Sequence, residues 1–319
     1  MEVETPALQV CPGLEPGLEA FAATLPGEPS HLRLFLQTSP ELTMKKLLVA
    51  GEPRIFQLCH AFRHEERSDT HHPEFTMLEW YRTGASYEAL FEDCAALLRA
   101  ALEASGSKCF RRRGLECDGT LPCERLSVAE AFARYARIDL FATAPDRVAP
   151  SLERLAHAAV SVGIRPGDGD SWEDLFFRIF LDCIEPKLGI GRASLLYDWP
   201  ISMSALARAK PGDPRVCERV ELFVCGLELA NGFGELTDPL EQRARFERDR
   251  AAKRRHGAEV YPIDEDFLAA LAQGMPESAG MALGFDRLVL LACGAERIDD
   301  VLWAPVASIE ARVAATSHS

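Results

Sequence analysis

Arg54–Phe62 reads RIFQLCHAF, Pro73–Tyr81 reads PEFTMLEWY, and residues 63–72 between them read RHEERSDTHH. The outer runs are strand-like, with aromatic and branched side chains, whereas the middle is too charged to enter a core. Together they predict a long-looped antiparallel hairpin. Its mouth carries Arg63 and Glu65, and the returning strand carries Phe75. Far along the chain, residues 280–287 read GMALGFDR, where a glycine-flanked strand runs into a helix bearing Arg287. There is no GxGxxG and no GxxxxGK[ST], so any nucleotide site must use another architecture.

Outward from the hairpin, Ser39-Pro40-Glu41 opens a helix to about Ala50, after a strand-like run from His31 to Gln37 and a Pro/Gly-rich loop from Pro12 to Pro29. Ser86–Glu103 has one apolar helix face, and Phe110–Cys123 reads as a hairpin turning at Asp118-Gly119. Residues 127–192 keep a helical period broken at Gly163–Asp170, which predicts a helical insertion. Ala193–Trp199 returns to strand, Arg219–Asn231 is a strand pair, and Leu240–His256 is a charged helix. Antiparallel strands at both ends with helices between and around them give an α+β fold, an antiparallel sheet flanked by helices. We expect one catalytic domain over residues 1–305 and a tail over 306–319.

With 319 residues, 47% of them hydrophobic, the chain can bury a large core. No apolar run is long enough to span a membrane and MEVETPALQV lacks a secretory layout, so the expected compartment is the cytoplasm. The ten cysteines include no CxxC pair and read as reduced thiols; Cys109, Cys117 and Cys123 lack a fourth ligand at zinc-finger spacing. A net charge of −14 argues against a broad polyanion-binding surface. The basic cluster Arg243–Arg255, set among acids at helical spacing, reads as a solvated helix face.

Residues 221–237 read ELFVCGLELANGFGELT. If Cys225-Gly226 is a two-residue turn, Phe223 faces Glu228, and Glu221 and Glu228 lie diagonally on one face. Adjacent carboxylates repel unless a cation bridges them, and Mg²⁺ bound to ATP phosphates suits the pair; an acidic face paired to arginines stays open as the alternative.

The 62–76 segment resembles motif 2 of class II aminoacyl-tRNA synthetases, and 280–287 resembles motif 3. The resemblance implies that Arg63 grips the α-phosphate and substrate carboxylate, Glu65 accepts from the adenine amine, and Phe75 stacks beneath the base. Arg287 would stack on the other face and reach the γ-phosphate. The SPE start at Ser39, PEFTMLEWY and ELANGF at Glu228 resemble the lysyl-tRNA synthetase subgroup, and more closely its stand-alone paralogues, the elongation factor P lysine ligases, over about Glu4 to Trp303. Members of that family activate (R)-β-lysine with ATP and transfer it to a lysine of elongation factor P, charging no tRNA.

Carried over residue by residue, the resemblance implies an ATP pocket of Arg63, His64, Glu65, His71, His72, Phe75, Glu228, Leu229, Gly284 and Arg287, with Mg²⁺ on Glu221 and Glu228. Arg63 and Arg287 would be catalytic. Ser39, Pro40, Glu41, Tyr81, Asn231, Glu235 and Ala282 would hold the β-lysine or lysine, Glu235 pairing with the distal ammonium. His64 and His72 depart from the family's usual asparagine or equivalent amide. Ala282 replaces a glycine typical of the synthetases, a methyl's difference near the amino-acid backbone. The chain begins within motif 1, without the β-barrel anticodon-binding domain, which favours the ligase; the long helix of the usual homodimer interface is missing, so the expected homodimer carries that condition. A lysyl-tRNA synthetase acting on α-lysine and a synthetase-like binding protein are the alternatives.

Overall fold

The computed structural model describes residues 1–306, leaving aside 16, 25–32, 65 and 148. Its strands are β1 (Leu8–Gln9), β2 (Ala22–Ala23), β3 (Leu34–Leu36), β4 (Arg54–Phe62), β5 (Glu74–Thr83), β6 (Phe110–Arg112), β7 (Leu115–Asp118), β8 (Glu124–Ser127), β9 (Gly191–Arg192), β10 (Ser194–Pro200), β11 (Val216–Val224), β12 (Leu227–Gly234) and β13 (Ser278–Gly284). The helices are α1 (Glu41–Val49), α2 (Ala89–Ser105), α3 (Val128–Ala131), α4 (Leu152–Val160), α5 (Trp172–Ile179), α6 (Pro239–Arg255), α7 (Glu265–Gly274) and α8 (Phe285–Cys293). Seven strands form the central sheet in the order β4-β5-β13-β12-β11-β10-β8. Neighbours are antiparallel except β10 and β8, a parallel pair that strand signals alone did not distinguish.

The hairpin expected from residues 54–81 is present, paired from Arg54 with Arg82 to Phe62 with Glu74. Along β4, Ile55, Gln57 and Ala61 point inward and are buried, while Phe56 and Leu58 face out. Its open edge is covered by the chain's own start: the Val3 amide donates to the Phe56 carbonyl at 2.9 Å, and the Phe56 amide to the Met1 carbonyl at 3.0 Å. At Phe56 the edge therefore no longer offers free backbone groups to another chain.

Cys225 and Gly226 have φ of 53° and 68°, the two positive values of a type I′ turn, so the β11–β12 hairpin closes where expected. Phe223 does face Glu228, but the register then shifts and Leu222 faces Ala230, leaving Leu229 as the extra residue of a bulge. Glu221 consequently faces Asn231. The other expected hairpin turn is corrected: β6 and β7 are joined at Arg113-Gly114, with φ of 46° and 76°, and not at Asp118-Gly119. Asp118 instead caps a turn by accepting from the Thr120 amide at 2.9 Å, and a Cβ at Gly119 would lie 2.5 Å from the Phe110 ring.

Helices α2 and α8 cover one face of the sheet, packing Leu90, Cys94, Leu98 and Leu291 on Leu222, Ala230, Met281 and Leu283. The mainly helical stretch between β8 and β10 closes one end around Phe132, Phe176 and Trp199. Helices α1, α6 and α7 close the other end around Met44, Leu48, Phe246 and Phe267. Helix α7 was not anticipated. Two bases of α6 are not solvated as its charge pattern suggested: Arg245 binds the Ala205 and Ala207 carbonyls, and Lys253 the Leu18 carbonyl. The tail expected at 306–319 lies outside the described residues beyond Val306. Among the described residues no helix is long and apolar enough to cross a membrane. The cysteines are free thiols, and no group of three or more metal-ligating side chains forms among the described residues.

Candidate active site

Strand register alone assembles one functional row across the uncovered face. Gln57 faces Glu79, Glu79 faces Ala282, Ala282 faces Asn231, and Asn231 faces Glu221. Two residues along, Tyr81 faces Gly280, which faces Phe233, which faces Arg219. Because side chains alternate across a strand, these residues share a face. Of these, Ala282, Asn231, Glu221, Phe233 and Arg219 floor a cleft of roughly 1310 Å³ whose lining also includes Ser39, Glu41, Arg63, His71, His72, Phe75, Glu228, Leu229, Gly284 and Arg287, and Glu79, Tyr81 and Gly280 lie beneath that floor.

At one end of the cleft the two arginines and the phenyl ring come together. The Arg63 guanidinium sits 5.2 Å over the Phe75 ring, with Nη1 3.6 Å from Glu66. Arg287, in the first turn of α8, is held by three acceptors. Its Nε donates to the Thr70 carbonyl at 3.1 Å, its Nη1 to the Glu228 carbonyl at 2.8 Å, and its Nη2 meets His71 Nε2 at 2.5 Å. Since arginine only donates, His71 Nε2 accepts and its proton sits on Nδ1, 2.7 Å from Ser68 Oγ. Burial, then the charges of Arg287 and Arg63, push the imidazole down to about 4. His71 therefore stays neutral near pH 7 and fixes the guanidinium plane.

The helix start adds to this grip, because Asp286 Oδ2 accepts from the Thr76 amide at 2.6 Å and ties α8 to β5. Gly284, the residue before α8, leaves only the Arg287 side chain beside the space a Cβ would take, at 3.4 Å. His72 is buried, with ring nitrogens against the Glu74 carbonyl at 2.5 Å and the Val306 amide at 3.0 Å. His64 packs edge-on against Phe21 at 5.1 Å and does not line the cleft. Glu65 lies outside the described residues.

The other end is a buried acidic cluster. Ser39 Oγ donates to Glu79 Oε2 at 2.8 Å, and Tyr81 donates to Oε1 of the same carboxyl. Glu41, in the first turn of α1, meets Lys45 Nζ at 2.5 Å, and Lys45 also stands 2.5 Å from Glu235 Oε2. Glu235 Oε1 receives no hydrogen bond among the described residues. Burial, then the Glu41 charge, pushes Glu79 up to about 8, despite its two hydroxyl donors. Burial likewise takes Glu235 up to about 7 against the pull of Lys45. Three carboxyls share one ammonium, so the cluster is short of positive charge. Pro40 caps α1 without lining the cleft, and Tyr81 and Glu235 lie beneath its floor.

Between the two ends, Asn231 Oδ1 is buried without a hydrogen-bond partner among the described residues. Glu221 is buried, paired with Arg219 at 2.6 Å, and pushed up to about 8 by burial and then by Glu228 in spite of that arginine. The arginine pairing left open by the sequence is thus present beside the carboxylate pair. Two carboxyls side by side at the cleft wall, with one arginine paired to Glu221, fit a divalent ion shared with phosphates.

Lys45, Glu79 and Gly280 sit in or against the buried cluster beneath the cleft and were not singled out from the sequence. Glu79 had a signal: standing two residues before Tyr81 in a strand, it must share its face. Lys45, four residues after Glu41 on a helix, has only the pattern of a surface pair. A Cβ at Gly280 would lie 2.2 Å from the Tyr81 ring and 2.6 Å from Glu235 Oε1, so this glycine makes the room in which those two meet.

Residues 1–308 match the family described as tRNA synthetases class II (D, K and N). Curated relatives include proteins named elongation factor P–(R)-β-lysine ligase. The one from Erwinia tasmaniensis is 40% identical over 304 residues, covering 95% of this chain and 87% of the relative. That of Pectobacterium atrosepticum is 39% identical over 304 residues, with the same shares of 95% and 87%. That of Vibrio cholerae serotype O1 is 40% identical over 308 residues, covering 94% and 87%.

Proposed function

The chain belongs to the class II tRNA synthetase family of the D, K and N type, and from that premise we propose that it is an ATP-dependent ligase. It activates (R)-β-lysine as an adenylate and transfers it to a lysine side chain of elongation factor P. The observation that carries this reading is the shortage of cations around Glu41, Glu79 and Glu235 beside a pair of arginines that can take phosphates. A diamino acid supplies what the cluster lacks, and a buried carboxyl selects an ammonium because either group alone is costly to bury.

The reaction runs in two displacements. The amino-acid carboxylate attacks the α-phosphorus of ATP in line and pyrophosphate leaves; the amine of the acceptor lysine then attacks the acyl carbon and AMP leaves. Arg63 and Arg287 neutralise charge that builds on the phosphate oxygens, and Phe75 gives the base a stacking surface. His71, Thr70 and the Glu228 carbonyl keep Arg287 from reorienting as that charge develops. Mg²⁺ held by Glu221 and Glu228 would supply further charge neutralisation at the phosphates. No side chain need act as nucleophile. The Ala282 methyl, between Asn231 and Glu79 in the register, narrows the floor where the amino-acid backbone lies.

The reading includes a cytoplasmic homodimer that needs no tRNA. Mass spectrometry of elongation factor P incubated with this protein, ATP and each lysine isomer tests it. A mass gain with β-lysine alone is expected. A gain with α-lysine alone, or labelling of tRNA in place of elongation factor P, overturns it.

A further inference from the structure

The reaction as described gives Lys45, at the amino-acid end, no part. Its side chain is 1% exposed and projects from the buried side of α1, where Met44 and Leu48 are core. Facing its ammonium are Glu41 from α1, Glu235 just beyond β12, Glu79 from β5, to which the Tyr81 hydroxyl donates, and the Phe233 ring at 6.0 Å. Arg208, paired with Glu218, also acts on Glu235 from outside this shell. Stability alone does not account for such an arrangement, since apolar side chains of similar volume generally serve a core as well as a buried ion triad. What the ammonium does is local: it stands at equal distance, 2.5 Å, from carboxylates on two elements far apart in sequence.

We propose that Lys45 is a positioning residue that bridges Glu41 and Glu235, fixes both in orientation and favours the charged form of Glu235, so that the subsite receives the substrate's ammonium as an ion pair and not as a neutral hydrogen bond. This deepens the ligase reading and rests on it. Without the lysine, Glu235 faces Glu41 and Glu79 with no ammonium beside it, and its protonated form is favoured further. A neutral carboxyl is a poor partner for an ammonium, so binding weakens until higher pH ionises it.

The test is amino-acid-dependent pyrophosphate exchange between pH 6 and 9 with Lys45→Met and Lys45→Arg. Lys45→Met raises the KM for β-lysine about tenfold at pH 7 and moves its pH profile about one unit alkaline, with the KM for ATP within about twofold of wild type. Lys45→Arg restores the position of the profile. An unmoved profile, or equal rises in both KM values, overturns the assignment. If Lys45→Met is too unstable to assay, Glu41→Gln/Lys45→Met removes an acid with its base, and the same alkaline shift is required of it. Wild-type protein that gives no exchange with any lysine isomer defeats the ligase reading itself; wild-type exchange with an unshifted variant defeats only the role of Lys45.

Discussion

At the scale of single residues, Glu79 reports what the subsite lacks. Held up to about 8, it is mostly protonated at pH 7, although Ser39 and Tyr81 both donate to it. An arriving ammonium reverses that balance and drives the proton off. The KM for the diamino acid therefore falls as pH rises from about 6 toward 8, by up to about tenfold per unit while Glu79 and Glu235 ionise. Glu79→Gln, which cannot ionise, flattens that profile and raises the KM about tenfold or more, since hydrogen bonds to charged groups carry about 1.5–3 kcal/mol. At the other end, His71→Ala frees one edge of Arg287 and raises the KM for ATP by about threefold to tenfold, leaving that for the amino acid in place; steady-state kinetics with each substrate varied separates the two. Arg63, Phe75 and Arg287 were legible in the sequence because their chemistry is carried by residue type within short segments. Lys45 was not, because a lysine four residues after a glutamate has the pattern of a surface pair. Only the return of β12 to the sheet buries it against Glu235.

At the scale of elements, the strands deliver the site by register, and β13 is where this is most exposed to a single change. Gly280 sits between Tyr81 and Phe233. A methyl there meets the Tyr81 ring at 2.2 Å and Glu235 at 2.6 Å, neither of which can retreat without breaking the buried cluster. Gly280→Ala should lower stability by about 1–3 kcal/mol, the usual cost of overpacking a filled site. It should raise the KM for the amino acid well above any change for ATP, because Gly284 and Arg287 lie at the far end of the same strand and its helix. Thermal unfolding and paired KM measurements check both parts; a destabilised variant with normal amino-acid binding would contradict the placement of Gly280 in the subsite. Element boundaries were well read where turn chemistry is explicit, as at Cys225-Gly226. They failed at Asp118-Gly119, a sequence that suits a hairpin turn equally well but whose glycine is needed for packing against Phe110. The bulge at Leu229 was also hidden, since nothing in ELFVCGLELAN tells a regular ladder from one with an extra residue. That one residue decides whether Glu221 faces Ala230 or Asn231.

For the whole molecule, the cleft and the cluster beneath its floor gather acids pushed upward from the ordinary carboxylate range: Glu79 on β5 and Glu221 on β11 to about 8, Glu235 beyond β12 and Asp249 on α6 to about 7. Burial is the first cause in each case. An unfolded chain releases these protons near pH 4, so between about pH 4 and 8 the folded protein binds more protons than the unfolded one. Stability without ligand must then fall as pH rises through that window and level off above it, the reverse of a protein whose carboxylates are well paired. We expect the urea midpoint at pH 8.5 to lie below that at pH 6, by at least about 2 kcal/mol in unfolding free energy. Saturating β-lysine should narrow that gap, because its ammonium groups replace protons on Glu79 and Glu235. Calorimetric titration in two buffers of different ionisation heat should accordingly show net proton release on binding the diamino acid. An amino acid with a single ammonium should release fewer protons and protect less. A urea midpoint that rises with pH, or binding without proton release, would mean that the cluster is already neutralised within the protein and that the shortage of charge is not what selects the substrate.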